Sequence, residues 1–348
     1  MNDKKKDNDK SRPGLISEMV IEDKKDRNDP AGLLVEPQEE IESDDFEKQL
    51  QITLKETEKG VLSLKNVADT PDQTRSWQNA RKVVEEFKPV PWFIWRLCNF
   101  VLGKPGKINQ VSEGLVFGLR RLMFAAASDS VLGSGEKVNN ARKALKILKP
   151  DTIAAVAVIH AICRRLSSRQ FERIWRPILD DAILRARIGY MVAEKLEGFG
   201  SGRGMLAGFA GRCGLAITIT SGDLDQARAA LEMLATGTDI KEVGLAVYDC
   251  EPLQVSAMTL SAAGCGRDAA FGTVSYASEE PESVISNDEQ KNWLIAFSVI
   301  EKVRMGLGEQ VPDEYWTWLG FNSEAERALL LDEARTITRR GHEWKWLG

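Results

Sequence analysis

From Arg75 onward apolar residues recur at intervals of three and four, the period of a helix with one buried face. Val111, Leu115, Leu119 and Leu122 mark one stripe, and Val138, Ala141, Leu145 and Leu148 mark another. Pro89 and Pro91 break the chain before Trp92-Phe93-Ile94-Trp95, which leads into an apolar helix through Leu97, Phe100 and Val101. Pro150 suits the first turn of a helix carrying Ile153, Val156, Ala157 and Cys163, where a missing N–H costs no bond. A longer stripe runs through Phe171, Ile174, Trp175, Ile178, Ala182, Ile188, Met191, Val192 and Leu196. Pro177 lies inside it and predicts a kink or a helix start nearby. The stretch Gly198–Gly204 ends that helix, and Met205 to Ile219 begins another apolar segment.

Asp223 with Gln226, Asn287 with Gln290, and Ser323 with Glu326 have the spacing of capping boxes, in which side chains satisfy orphan first-turn amides. Pro252 suits a first turn before Leu253, Ala257 and Leu260. Gly341 can end the last helix and leave Trp344 and Trp346 in a short tail. Strands do not alternate with helices and no fixed repeat is visible. The expectation is an all-α body of about ten to thirteen helices.

The N-terminal part has a different pattern. Residues 1 to about 45 are polar, mixed in charge and interrupted by Pro13, Pro30 and Pro37, with too few apolar residues to offset the entropy of ordering. They predict a disordered arm. Two apolar islands interrupt it, Leu15-Ile16 with Met19-Val20-Ile21 and Leu33-Leu34-Val35. They are incidental residues of a tail or short docking segments that fold on a partner. Gln51-Ile52-Thr53-Leu54-Lys55 alternates like a strand, Val61-Leu62-Ser63-Leu64 does likewise, and Gly60 would permit a turn between them. Residues 1–75 therefore read as an acidic arm and linker, and 76–348 as the helical domain.

Charge sharpens that division. Of the chain's 52 acidic and 47 basic residues, 19 and 13 lie in 1–75, so the arm is acidic and the body near neutral. No strong basic excess marks a nucleic-acid binder. Five cysteines, an odd number without a Cys-x-x-Cys, fit reduced thiols better than disulfides or a zinc site. The first residues show no secretory signal, and the longest apolar run, Ile153–Ile159, is too short for a bilayer. The expectation is a cytoplasmic protein with no membrane segment.

Candidate chemistry is sparse. His160 lies among Val156, Ile159 and Cys163, and reads as a satisfied boundary residue or, less simply, a ligand. His342 follows the last helix and can interact with its C-terminal end. Asp180 and Asp181 are neighbours on a helix and must diverge; Asp223 with Asp225 and Asp249 with Glu251 are the other carboxylate pairs. Gly200-Ser201-Gly202-Arg203-Gly204 resembles a phosphate cradle but lacks the Gly-Lys-Ser/Thr ending and a preceding strand. It is a helix–helix loop or, with Arg203 and Arg212, an anion site at the next helix start. Arg164, Arg165, Arg169, Arg173 and Arg176 form the densest basic stretch, with Arg169, Arg173 and Arg176 on one helical face. That face is solvated surface or a docking patch for an acidic partner or nucleotide. Of nine tryptophans, Trp92, Trp95, Trp316 and Trp318 are expected to anchor helices.

The order of these features, from about Glu85 to Gly341, resembles the HDOD family, an output domain related to the HD phosphohydrolases. The resemblance is carried by Pro89-Val90-Pro91 before an apolar helix and by the helix Lys137–Leu148 after a short loop. It continues through Phe171-Glu172-Arg173-Ile174-Trp175-Arg176-Pro177-Ile178, Leu206–Gly214, and Leu253–Ala257 with Ala263-Gly264. It ends with Trp293 through Trp318-Leu319-Gly320-Phe321 to Thr338. Metal-binding HD enzymes converge histidines and aspartates from several helices on a metal that activates water. The resemblance implies that the central-helix histidine falls on Pro177, the His-Asp pair on Gly211 and Arg212, the next histidine near Pro252, and the last near Ser275 and Tyr276. These residue types cannot rebuild that site, and Arg212 would put a positive charge in it. The resemblance thus implies a regulatory or signalling module without metal or cofactor, working through a protein partner or a nucleotide. The alternative is a phosphohydrolase of nucleotides or cyclic dinucleotides with relocated acidic ligands.

Overall fold

The computed structural model describes residues 43–63, 71–102 and 109–347. Among the described residues there are sixteen α-helices and no strand. The first six are α1 (Ser43–Leu62), α2 (Pro71–Phe87), α3 (Trp92–Leu102), α4 (Asn109–Gly118), α5 (Arg120–Ser128) and α6 (Ala141–Ile147). Then come α7 (Pro150–Ser167), α8 (Glu172–Val192), α9 (Ser201–Ser221), α10 (Leu224–Ala235), α11 (Ile240–Tyr248) and α12 (Pro252–Leu260). A π-helical turn at Ser261–Cys265 leads to α13 (Arg267–Ser275), α14 (Asp288–Arg304), α15 (Asp313–Trp318) and α16 (Glu324–Arg340). The count exceeds the expected range because α1 was read as strand and linker, the stripe Val111–Leu122 divides into α4 and α5, and α15, of 6 residues, is too short to show a stripe of its own.

Helix α9 is the central helix of the unit that begins at Ser43. Its small and apolar residues surround it, and a helix without a polar face has to be buried. It packs against α7, α8, α12 and α14. The approach to α8 is closest because Gly204 and Gly208 lie against the backbone of Gly189 and Arg185, where no Cβ fits. That contact brings charged residues of α8, α9 and α14 together.

Local signals act as expected at most helix ends. Asp223 with Gln226 and Ser323 with Glu326 form complete capping boxes, and Pro150 and Pro252 occupy first turns. Asn287 caps α14 through the Gln290 amide, at 2.9 Å. Gln290 does not return the bond; its side chain is taken by Asp268 and Ser286. Pro177 sits early in α8, whose N-cap Phe171 is left-handed at φ 64°. The stretch Gly198–Gly204 only partly separates two helices, since α9 has begun by Ser201.

The strand expected over 51–55 is helix, and so are Val61 and Leu62 of the second one. The buried positions are Leu50, Leu54, Thr57 and Val61, spaced by four, three and four, while Ile52 is on the open face. The apparent alternation arose because Ile52 happens to precede Leu54 by two. Gly60 makes no turn there; it admits the Phe271 ring, whose Cζ would lie 2.5 Å from a Cβ. Thr57 and Ser261 share a hydroxyl hydrogen bond of 2.7 Å. The linker expected over 46–75 is therefore an integral helix up to Leu62, and the compact unit begins at Ser43. The arm expected from residue 1 lies outside the described residues up to residue 42, as do its two apolar islands.

Tryptophan anchoring is also distributed differently. Trp316 is buried as expected, but Trp92, Trp95 and Trp318 are only half-buried. The fully buried anchors are Trp77, Trp175, Trp293 and Trp344. Trp344 and Leu347 fold the C-terminal segment back into the core, and Arg187 holds it through the His342 carbonyl at 3.0 Å and Glu343 at 2.8 Å. No helix among the described residues is long and apolar enough to cross a membrane.

Candidate functional site

Helices α8, α9 and α14 meet at a cluster of five charged side chains: Asp181, Arg185, Arg212, Glu301 and Arg304. Arg185 is buried at its centre. It donates from Nε to Asp181 at 2.8 Å, one helical turn away, and from Nη1 to Glu301. Arg304 donates to the other Asp181 oxygen at 2.8 Å. Arg212 lies 3.4 Å from Asp181 and 3.7 Å from Glu301, and donates to the Gly211 carbonyl at 2.8 Å. Gly211 leaves open the space that Glu301 fills, since a Cβ there would strike its carboxylate.

Burial alone would raise the Asp181 pKa, but Arg185, Arg304 and Arg212 together hold it below the ordinary carboxylate value. Burial and the neighbouring Arg185 charge pull Arg212 down. Tyr276, stacked edge-on against Phe297 with centroids 5.1 Å apart, feels the same charges; burial and then Glu301 raise its pKa. Cys213 lies one residue beyond Arg212, but burial pushes its thiol up to about 12, which leaves it protonated and unreactive near neutrality.

The positions singled out by the family resemblance do not all converge. Gly211 borders the cluster, Arg212 belongs to it, and the Tyr276 pKa responds to its charges. Pro177 is exposed, one turn before Asp181 on α8. Pro252 is buried elsewhere, wedged against Gly244 of α11 and Gly214 of α9. Ser275 turns back to the Phe271 carbonyl at 2.7 Å.

The candidate binding arginines separate into three groups. Arg203 is interior: its guanidinium donates to the Leu102 carbonyl and to the Phe199 carbonyl, and lies 3.6 Å from Glu289. The start of α9 above it is taken by Asp151, which accepts the Gly202 amide at 2.7 Å. Gly200 clears that carboxylate, whose oxygen would lie 2.5 Å from a Cβ. Arg212 belongs to the cluster. Arg169, Arg173 and Arg176 do not share the one helical face expected of them, because Arg169 lies in the loop between α7 and α8. All three remain near the surface: Arg169 over the Phe87 ring at 5.8 Å, Arg176 beside Asp180 at 3.3 Å, and Arg173 exposed without an ion pair among the described residues. Arg165 joins them; burial and the Arg169 charge lower its pKa.

Asp180 and Asp181 diverge, as adjacent helical residues must: Asp180 faces Arg176 and His342, and Asp181 faces the cluster. His160 contacts the Leu347 carbonyl at 2.8 Å, and His342 Nδ1 accepts the Trp344 amide at 3.0 Å. Both histidines secure the C-terminal segment. Among the described residues no group of three or more His, Cys, Asp or Glu side chains could hold a metal ion. Arg185, Glu301 and Arg304 were not singled out from the sequence. The spacing of Asp181 to Arg185, four residues on one helix, was a usable signal; the pairing of Arg185 with Glu301, 116 residues later, left none.

No family model matches the chain, and no curated protein matches it. Solved structures do. A candidate phosphohydrolase from Shewanella amazonensis SB2B is 16% identical, with a TM-score of 0.51 over 78% of this chain and 98% of that one. A candidate signal transduction protein from Marinobacter aquaeolei VT8 is 15% identical, with a TM-score of 0.53 over 85% of this chain and 64% of that one. The chain shares their fold.

Proposed function

We propose that the chain is a regulatory module of the HDOD type that works by binding a partner protein, and not by metal-dependent hydrolysis. The observation that supports this reading is the commitment of both cluster carboxylates, Asp181 and Glu301, to arginines. A carboxylate held by guanidinium groups has its lone pairs engaged and its charge neutralised, so it is a poor ligand for a hard cation. The fold neighbours named for phosphohydrolysis and for signal transduction fit an HD-related scaffold that serves either purpose. The contact surface is the face of Arg165, Arg169 and Arg173, whose positive charges have no ion pair among the described residues and suit an acidic protein. A cytoplasmic setting agrees with five free, buried thiols.

The test is a paired one. Affinity capture from native extract is run with wild type and with Arg169→Glu/Arg173→Glu, and the same preparations are assayed for phosphodiesterase and phosphatase activity with Mn²⁺ or Mg²⁺. Reproducible capture of one protein, lost on charge reversal, is expected, with no turnover. Chelator-sensitive turnover by wild type, with no partner captured, would establish the hydrolase instead.

A further inference from the structure

The buried cluster carries one positive charge in excess, three arginines against two carboxylates. Its inner arginine is satisfied by both acids, but its outer two are not. Arg212 uses Nε and Nη1, and its Nη2 makes no hydrogen bond among the described residues. Arg304 uses Nε, with Nη2 2.6 Å from the same Asp181 oxygen, and its Nη1 makes none. Both approach one carboxylate, so their guanidiniums are neighbours at the rim, 21% and 28% exposed.

We propose that Arg212 and Arg304 form a binding site for a phosphate group. Two planar forks with unused N–H groups match the oxygens of a tetrahedral anion, which guanidinium binds better than ammonium does. Partial burial strengthens each contact. The anion would supply the negative charge the cluster lacks, whereas a cation would add to an existing positive excess. The site is separate from the Arg165–Arg173 face, so a failure of partner capture leaves it untouched.

Isothermal titration calorimetry of the full chain with inorganic phosphate, at ionic strength matched by chloride, tests the site. Saturable one-to-one binding is expected, weakened about tenfold or more in Arg212→Met and in Arg304→Met, and unchanged in Arg173→Met. Each of the first two variants leaves two arginines against two carboxylates, so the cluster stays balanced and the chain folded, which thermal melts monitor. Arg304→Lys keeps the charge without the fork and is expected to weaken binding as well. A parallel titration with O-phosphoserine separates the sources: tighter binding indicates a phosphate carried on an organic group, and equal or weaker binding the free ion. Absence of saturable phosphate binding in wild type overturns the proposal, and so does undiminished affinity in both Arg304 variants.

Discussion

Glu301 accepts from Arg185 where Gly211 has no side chain, and both members of the pair are almost fully buried. Removing one charge of such a pair leaves the other uncompensated in a poor solvent. Glu301→Gln is therefore expected to lower stability by about 3–5 kcal/mol, read from the urea midpoint at constant slope; a loss below about 1 kcal/mol would refute the pairing. Asp181 makes a separate, pH-dependent contribution. Its folded pKa lies below its unfolded value, so the stability it adds is complete above about pH 4 and is lost as pH falls through the lower folded value. Asp181→Asn should accordingly flatten the acid limb of the stability–pH curve, and parallel limbs in wild type and variant would contradict the assignment. From the sequence, the residue types at Gly211 and Arg212 were legible. The partners of Arg212 were not, since they come from helices far apart in the chain.

At the scale of elements, the α8–α9 crossing governs where these charges meet. Gly208 lies against the Arg185 carbonyl, so Gly208→Ala forces the helices apart just where Arg185 enters the cluster. A destabilisation of about 1–3 kcal/mol or more is expected in thermal melts. Gly118→Ala, where an added Cβ meets nothing within 4 Å, serves as the control and should be close to neutral. A smaller effect at Gly208 than at Gly118 would mean that the crossing tolerates separation. Helix ends were readable because a cap is a local hydrogen bond: Asp223 and Ser323 act within three residues of their own sequence position. The helix α1 was misread for a related reason. Ile52 and Leu54 alternate like a strand over five residues, and only the burial of Leu50, Leu54, Thr57 and Val61 shows the longer helical period.

At the scale of the whole described unit, one continuous core joins α1 to the C-terminal segment. A chain beginning at residue 76 would lose the cover of Leu50, Leu54 and Val61, each worth about 1.5–3 kcal/mol when buried. It is expected to melt far below a chain beginning at residue 43, by circular dichroism; equal melting temperatures would show that α1 is dispensable. What the sequence determined by itself is the helical class, the helix starts marked by Pro91, Pro150, Asp223, Pro252, Asn287 and Ser323, and the residue types at Pro177, Gly211, Arg212 and Pro252. All of these follow from interactions within a few residues, or from side-chain chemistry alone. Only the tertiary structure decided that Gly211 and Arg212 meet Asp181, Arg185, Glu301 and Arg304, while Pro177 stays exposed and Pro252 packs elsewhere. The physical reason is that a helical period records which face is buried but not what buries it. The partner is chosen by the close glycine crossing of α8 on α9 and by α14 packing beside both, which no local pattern encodes.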